Sequence, residues 1–318
     1  MSAGDEALVR LAREELARPA PDAARRVAAA ICTRTGNATL GVVFYGSCLR
    51  RDSAEGVLDF YVIVDDYAGA LGPGWLARVS DWLPPSVFYI ECPASDGSVL
   101  RAKYALLTLE DFARGAVSGG FRSGIWARFC QPALAPWVRD EAALESIAGV
   151  CAQSVRTAVE TVTPLLEGPS DAEEFWQTVF AETYRRELRS ESVSTIRSLH
   201  AAAPERYERA LRAGLAACEQ ERLFAVEWSG PRFALEWPAG RREKLHRRFR
   251  RRIAWAKCAY VAQLLKTAFT FGDWLPYALW KVERHTGAEI PYTERQRRHP
   301  LIFGWPLLFR VLHNRELR

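Results

Sequence analysis

The sequence predicts an α+β fold: a mixed sheet with helices, then a mainly helical domain, then a basic amphipathic C-terminal segment. Three observations predict it. Short apolar runs rich in β-branched and aromatic residues cluster before residue 140, the pattern of strands. From Asp140 onward apolar residues recur at three- and four-residue spacing instead, the pattern of helices. Beyond residue 240 basic residues crowd together with aromatic ones. The boundaries that follow are 1–139, 140–240 and 241–318.

Taken in order, Leu8, Val9, Leu11 and Leu16, then Ala23, Val27 and Ala30, mark two leading helices, separated where Pro19 and Pro21 interrupt the run. Strands are expected at about 40–45 and 57–64, flanking the Gly46-Ser47 turn, and at about 86–91. Trp75, Leu76, Val79 and Trp82 suggest a helix before the third strand, and Leu100 to Leu107 form a fourth apolar run. Thr108 followed by Glu110 and Asp111 is a helix start, a capping side chain with acids in the first turn. Helices are predicted over 141–166, 171–199 and 204–224, divided by Gly168-Pro169-Ser170 and Ala203-Pro204. Phe224 to Trp228 and Arg232 to Trp237, around Ser229-Gly230-Pro231, read as a small hairpin.

A chain of 318 residues with 49% hydrophobic and 25% charged residues is an ordinary globular composition, which argues against disorder and against a polytopic membrane protein. No run reaches the roughly 18 apolar residues that span a bilayer. The opening Met-Ser-Ala-Gly-Asp-Glu is acidic where a signal peptide is basic, so a cytoplasmic chain is expected. The seven cysteines are widely spaced without Cys-x-x-Cys pairs, which points to reduced thiols and away from zinc.

The chemistry centres on residues 42–66. The apolar run Val42 to Tyr45 leads into Gly46-Ser47, a pair small enough for phosphate oxygens to approach the backbone amides. Twelve positions after Ser47, Asp59 lies inside the apolar run Val57 to Val64, where an unpaired carboxylate is costly, so a positive charge is expected beside it. Turn and carboxylate in this order point to metal-dependent nucleotidyl transfer. Taken singly, a Gly-Ser turn or a strand-end Asp has an ordinary structural role, and Cys48 reads as a small apolar residue beside the turn.

With those residues in view, the chain resembles the mitochondrial-type phosphatidate cytidylyltransferases, the translocator assembly and maintenance family, peripheral membrane enzymes with a nucleotidyltransferase fold. The family's first block matches Tyr45-Gly46-Ser47, Leu58-Asp59-Phe60 and Val64-Asp65-Asp66. Its second is similar to Lys103-Tyr104-Ala105-Leu106-Leu107, and its third to Ile125 through Pro132, with Arg128 in place and Phe129 in its neighbourhood as a departure. Later segments resemble Phe180 to Arg189 and Arg252 to Lys266, so the likeness covers about residues 40–266 and is closest in the first block.

The resemblance implies that CMP passes from CTP to phosphatidic acid, giving CDP-diacylglycerol and pyrophosphate, with Mg2+ as cofactor. Asp59 is the expected metal ligand, and Tyr45, Gly46 and Ser47 are expected to bind the nucleotide. Lys103 and Arg128 are the candidate catalytic cations for phosphate, a compact charge and a two-pronged fork; a surface salt bridge is the alternative for each. Members of this superfamily commonly place a second carboxylate two residues after the first, but position 61 is Tyr. Asp65 shares the parity of Asp59 yet lies about 20 Å along an extended strand and is assigned to the strand-end turn. Glu91 is the candidate second metal ligand, with a solvated strand-end Glu as its alternative. A phosphate monoester acceptor is already ionised, so it can dispense with a carboxylate serving as general base. Arg185, Arg186 and Arg189, beside Glu182 and Glu187, read as a solvated ion-pair face.

Residues 241–318 hold 18 Lys or Arg against 6 Asp or Glu, whereas residues 1–240 hold 25 against 32. Arg241 to Arg252 has eight basic positions in twelve and runs into Ile253, Trp255, Tyr260, Leu264 and Leu265. Basic heads beside an aromatic stripe suit an anionic membrane surface, so the protein is expected on the inner membrane face as a peripheral protein. A core helix and a nucleic-acid groove are the competing explanations, and nucleic acid is not the expected partner. Two other functions stand beside the cytidylyltransferase. One is a soluble nucleotidyltransferase with a small molecule, RNA or protein as acceptor; the other is an inactive module that binds a nucleotide or lipid headgroup.

Overall fold

The structure is a computed structural model that describes residues 2–51, 53, 56–117, 124–186, 193–247 and 293; side chains are described for these apart from 184–186 and 193–195. The expected α+β architecture is present. Two helices lead, α1 (Ala3–Leu16) and α2 (Asp22–Thr35). The first is started by a reciprocal cap: the Ser2 hydroxyl accepts from the Asp5 amide at 3.1 Å while the Asp5 carboxylate accepts from the Ser2 amide at 3.2 Å. Strand β1 (Thr39–Tyr45), the short helix α3 (Ser47–Arg51) and strand β2 (Val57–Val64) follow, then α4 (Tyr67–Leu71), α5 (Trp75–Trp82), β3 (Ser86–Pro93) and β4 (Val99–Thr108). The Thr108 hydroxyl caps α6 (Leu109–Ala116) by accepting from the Asp111 amide, as its sequence pattern predicts.

After α7 (Gly124–Phe129) a fifth strand, β5 (Leu134–Val138), completes the sheet. The sequence reading missed it because Pro132 precedes the run by two residues and Pro136 stands inside it, which argues against a strand. The helical part is α8 (Glu141–Val162), α9 (Ala172–Arg186), α10 (Val193–Ala201) and α11 (Pro204–Gln220), so the predicted helix 171–199 is two helices. Strands β6 (Ala225–Ser229) and β7 (Arg232–Glu236) form the expected hairpin.

The sheet order is β3-β4-β2-β1-β5; β2 and β4 run parallel and the other neighbours antiparallel. Central β2 is buried without a break from Phe60 to Val64, because both of its faces are covered. On one face Phe44 packs on Phe60 and Phe88 on Tyr104. On the other, Tyr45 and Tyr61 meet Phe112 of α6 and Phe129 of α7. A second apolar core gathers around α8, α9 and α11, and α8 joins the two by giving Leu144, Ile147 and Cys151 to the sheet side and Val155, Val159 and Val162 to the other. Helix α1 sends Leu8 and Leu11 into this second core.

Among the described residues no helix is long and apolar enough to cross a membrane. The expected interfacial stretch from Phe249 through Phe309 lies outside the described residues except Thr293, as do Arg189 and the side chains of Arg185 and Arg186.

Candidate active site

Register builds the site. Tyr45 at the end of β1 stands opposite Asp59 on β2, and Asp59 stands opposite Lys103 on β4, so all three side chains leave the sheet on one face. The Lys103 ammonium is 3.0 Å from Asp59 Oδ1, with the side chains 38% and 18% exposed. This is the positive neighbour that a carboxylate in an apolar strand requires. The ammonium is close but not aligned for a hydrogen bond, and Oδ1 is buried with no hydrogen-bond partner.

Gly46 is the hinge between β1 and α3. Its φ of +94° favours glycine, and a Cβ there would stand 2.9 Å from Asp59 Oδ2. The chain therefore turns directly over the carboxylate. We expect Gly46→Ala to destabilise the fold by about 1–2 kcal/mol, from the left-handed backbone and the contact with Asp59. A shift in the urea midpoint at unchanged slope would measure it; an unchanged midpoint would show that the turn tolerates a side chain.

Ser47 opens α3 where the sequence reading placed a turn between strands, and its hydroxyl accepts from the Arg51 guanidinium at 3.5 Å. Arg50, on the same helix, donates to Gln131 Oε1 at 3.3 Å. Arg51 is a cation beside the turn that the sequence reading passed over; a basic pair three residues after a Gly-Ser turn is the signal that could have found it. Cys48 is buried with Sγ on the Val57 carbonyl, and burial pushes its thiol pKa up, which fits a packing role.

Arg128 on α7 donates to the Gly124 carbonyl at 2.6 Å, and its guanidinium also reaches the Tyr45 hydroxyl. Burial, helped by the Asp59 charge and opposed by Arg128, holds the Tyr45 phenol well above its ordinary pKa. Tyr45 is therefore a neutral hydroxyl at working pH, suited to hydrogen bonding and not to proton abstraction. The structure thus brings Tyr45, Gly46, Asp59 and Lys103 together, with Arg128 at the Tyr45 edge.

Glu91 is not brought to them. It shares the face of Asp59, but β4 lies between their strands and Glu91 is two residues further along, which puts the two backbones about 12 Å apart. Its carboxylate instead accepts from the Tyr89 hydroxyl at 2.8 Å and pairs with Arg101 at 3.3 Å. Asp65 pairs with Arg139, and Asp66 caps α4, so both serve the strand end. Tyr61, at the position of the second carboxylate, is buried edge-on to Phe129 with ring centroids 4.9 Å apart, where an ionised group would have no solvation.

Among the described residues no three His, Cys, Asp or Glu side chains gather as a metal cluster. Magnesium needs less: one or two carboxylates, with phosphate oxygens and water completing its shell. Asp59 Oδ1, which accepts no hydrogen bond and faces the Lys103 ammonium, supplies one such carboxylate, so the residues fit an ion that arrives with a triphosphate. No protein-family model matches the chain, and no curated protein matches it.

Proposed function

We propose that the protein is a nucleotidyltransferase, and in particular one that moves CMP from CTP to phosphatidic acid, releasing pyrophosphate and forming CDP-diacylglycerol. The observation that carries the reading is the approach of Gly46 to the Asp59 carboxylate, with Lys103 on that carboxylate's other oxygen. A tight turn that exposes backbone beside a carboxylate and a cation suits a triphosphate and its counter-ion. The choice of CTP and phosphatidic acid is supported by the resemblance of the Tyr45 to Asp66 block.

In this reading a phosphate oxygen of phosphatidic acid forms the bond to the α-phosphorus of CTP, and the bond from that phosphorus to the bridging oxygen of pyrophosphate breaks. Asp59 would hold magnesium, which neutralises charge on the phosphates. Gly46 and Ser47 let the β- and γ-phosphates lie against the turn. Lys103 moves from Asp59 toward the phosphate oxygens, and Arg128 and the neutral Tyr45 hydroxyl supply donors at the edge of the site. The acceptor phosphate is ionised, so no side chain needs to remove a proton.

The test is to supply CTP, magnesium and phosphatidic acid in detergent and look for labelled CDP-diacylglycerol. Its appearance with magnesium supports the reading, and a folded protein that yields no lipid product across metals and detergents refutes it. A binding module without turnover is the second reading, favoured by the buried Tyr61 at the place of a second carboxylate. Calorimetry showing nucleotide binding with no product would select it.

A further inference from the structure

Helix α5 carries two tryptophans that the fold does not use. Trp75 is 64% and Trp82 83% exposed, although both mark the helix as apolar in the sequence. They stand seven residues apart, two turns along one side of the helix, about 10 Å from each other. Arg78, also exposed, lies on the same side between them. The inward side is pinned by small residues: Ala77 and Ser80 are buried, and Ser80 Oγ donates to the Leu76 carbonyl at 2.8 Å and lies 2.6 Å from Ser86 Oγ. That contact fixes the rotation of α5 and turns both indoles outward.

Area and charge decide what covers this edge. A tryptophan side chain offers up to about 250 Å², so at these exposures the pair presents roughly 350 Å². A stable protein interface takes about 800 Å² from each partner, more than twice that. A headgroup layer needs no such area, because each indole inserts singly with its apolar body toward the acyl chains and its N–H toward water. Arg78 adds a cation between them for lipid phosphate; Asp81, also exposed, lies about 60° round the helix from Arg78 and about 100° from Trp82, outside the arc from Arg78 to Trp75.

We propose that the Trp75, Arg78 and Trp82 edge of α5 is a membrane-contact surface that seats in the headgroup layer of an anionic phospholipid bilayer. An eight-residue helix is a weak anchor alone, and peripheral binding takes a second attraction, for which the sequence offers the basic run from Arg241 to Arg252. The choice of an anionic phospholipid rests on the lipid acceptor proposed above; the exposed edge does not.

The experiment is flotation of the full chain with phosphatidylcholine vesicles, with and without phosphatidic acid, in the absence of CTP and magnesium. We expect Trp75→Ala and Trp82→Ala each to lower partition about tenfold. Arg78→Gln lowers it about fivefold, and only on the anionic vesicles. All three should keep the wild-type thermal melt and wild-type turnover on phosphatidic acid in detergent micelles. Wild-type partition in the double tryptophan variant overturns the proposal. So does a wild type that floats with neither vesicle, or a wild-type dimer in light scattering that the tryptophan variants dissolve. Tryptophan-dependent flotation without any turnover leaves this surface standing and sinks the catalytic reading; turnover with tryptophan-independent flotation does the reverse.

Discussion

Asp59→Asn is expected to lower the proposed CMP transfer by roughly 10³, about 4 kcal/mol of transition-state stabilisation, while leaving the protein folded. The substitution keeps the shape of the side chain and removes its charge, so the turn at Gly46 still has an amide of the same size beneath it. In the proposed reading the charge lost is the one that would hold the triphosphate's counter-ion. Folding should hardly change: the Asp59 and Lys103 pair is partly open to water, and such pairs contribute at most about 1 kcal/mol. Steady-state turnover together with a urea titration separates the two effects. Turnover within tenfold of wild type would move the active site away from β2.

Arg206→Met is expected to destabilise the fold by about 3–5 kcal/mol. The Arg206 fork reaches Glu15 with Nε at 2.8 Å and its second terminal nitrogen at 3.2 Å, and its remaining nitrogen donates to the Cys130 carbonyl at 2.6 Å. One guanidinium thereby ties α1, α11 and the end of α7, and both side chains of the ion pair are only 11% exposed. Removing it leaves Glu15 charged and largely dehydrated, and it frees the turn that follows Arg128. The double variant Glu15→Leu with Arg206→Met should recover most of the loss, because two apolar groups replace two buried charges. Urea unfolding of the single and double variants measures this. A single-variant loss under about 1 kcal/mol would mean that water reaches the pair and that the tie is not a stabilising one.

Local pattern carried much of the fold. The proline break between the leading helices, the Thr108 cap, the three strands 40–45, 57–64 and 86–91 and the small hairpin all follow from residues near one another in the chain, and each is present. The errors have physical causes. Between the first two strands a short helix stands in place of a plain turn, since Ser47 to Arg51 is too brief to show a helical period. Trp75 and Trp82 fall on a helix as expected, but apolarity does not say which side of a helix is covered, and here the covered side belongs to Ala77 and Ser80.

The candidate site divides in the same way. Gly46, Ser47 and Asp59 can be read from one stretch of chain, because a turn and a carboxylate on flanking strands are fixed by a single antiparallel pairing. Glu91 can be a second ligand only if its strand adjoins that of Asp59. The sheet instead places β4 between them, and Lys103 takes the neighbouring place.

From its order of residues alone, the chain determined its alternation of helices and strands, the placing of a small turn ahead of a strand carboxylate, and the concentration of basic charge beyond residue 240. Folding in three dimensions decided which cation meets Asp59, that Arg128 reaches Tyr45, and that two indoles of α5 face outward. The reason is range: helical and strand periods are written over a few neighbouring residues, whereas strand order and helix rotation are set by contacts between segments far apart in the chain.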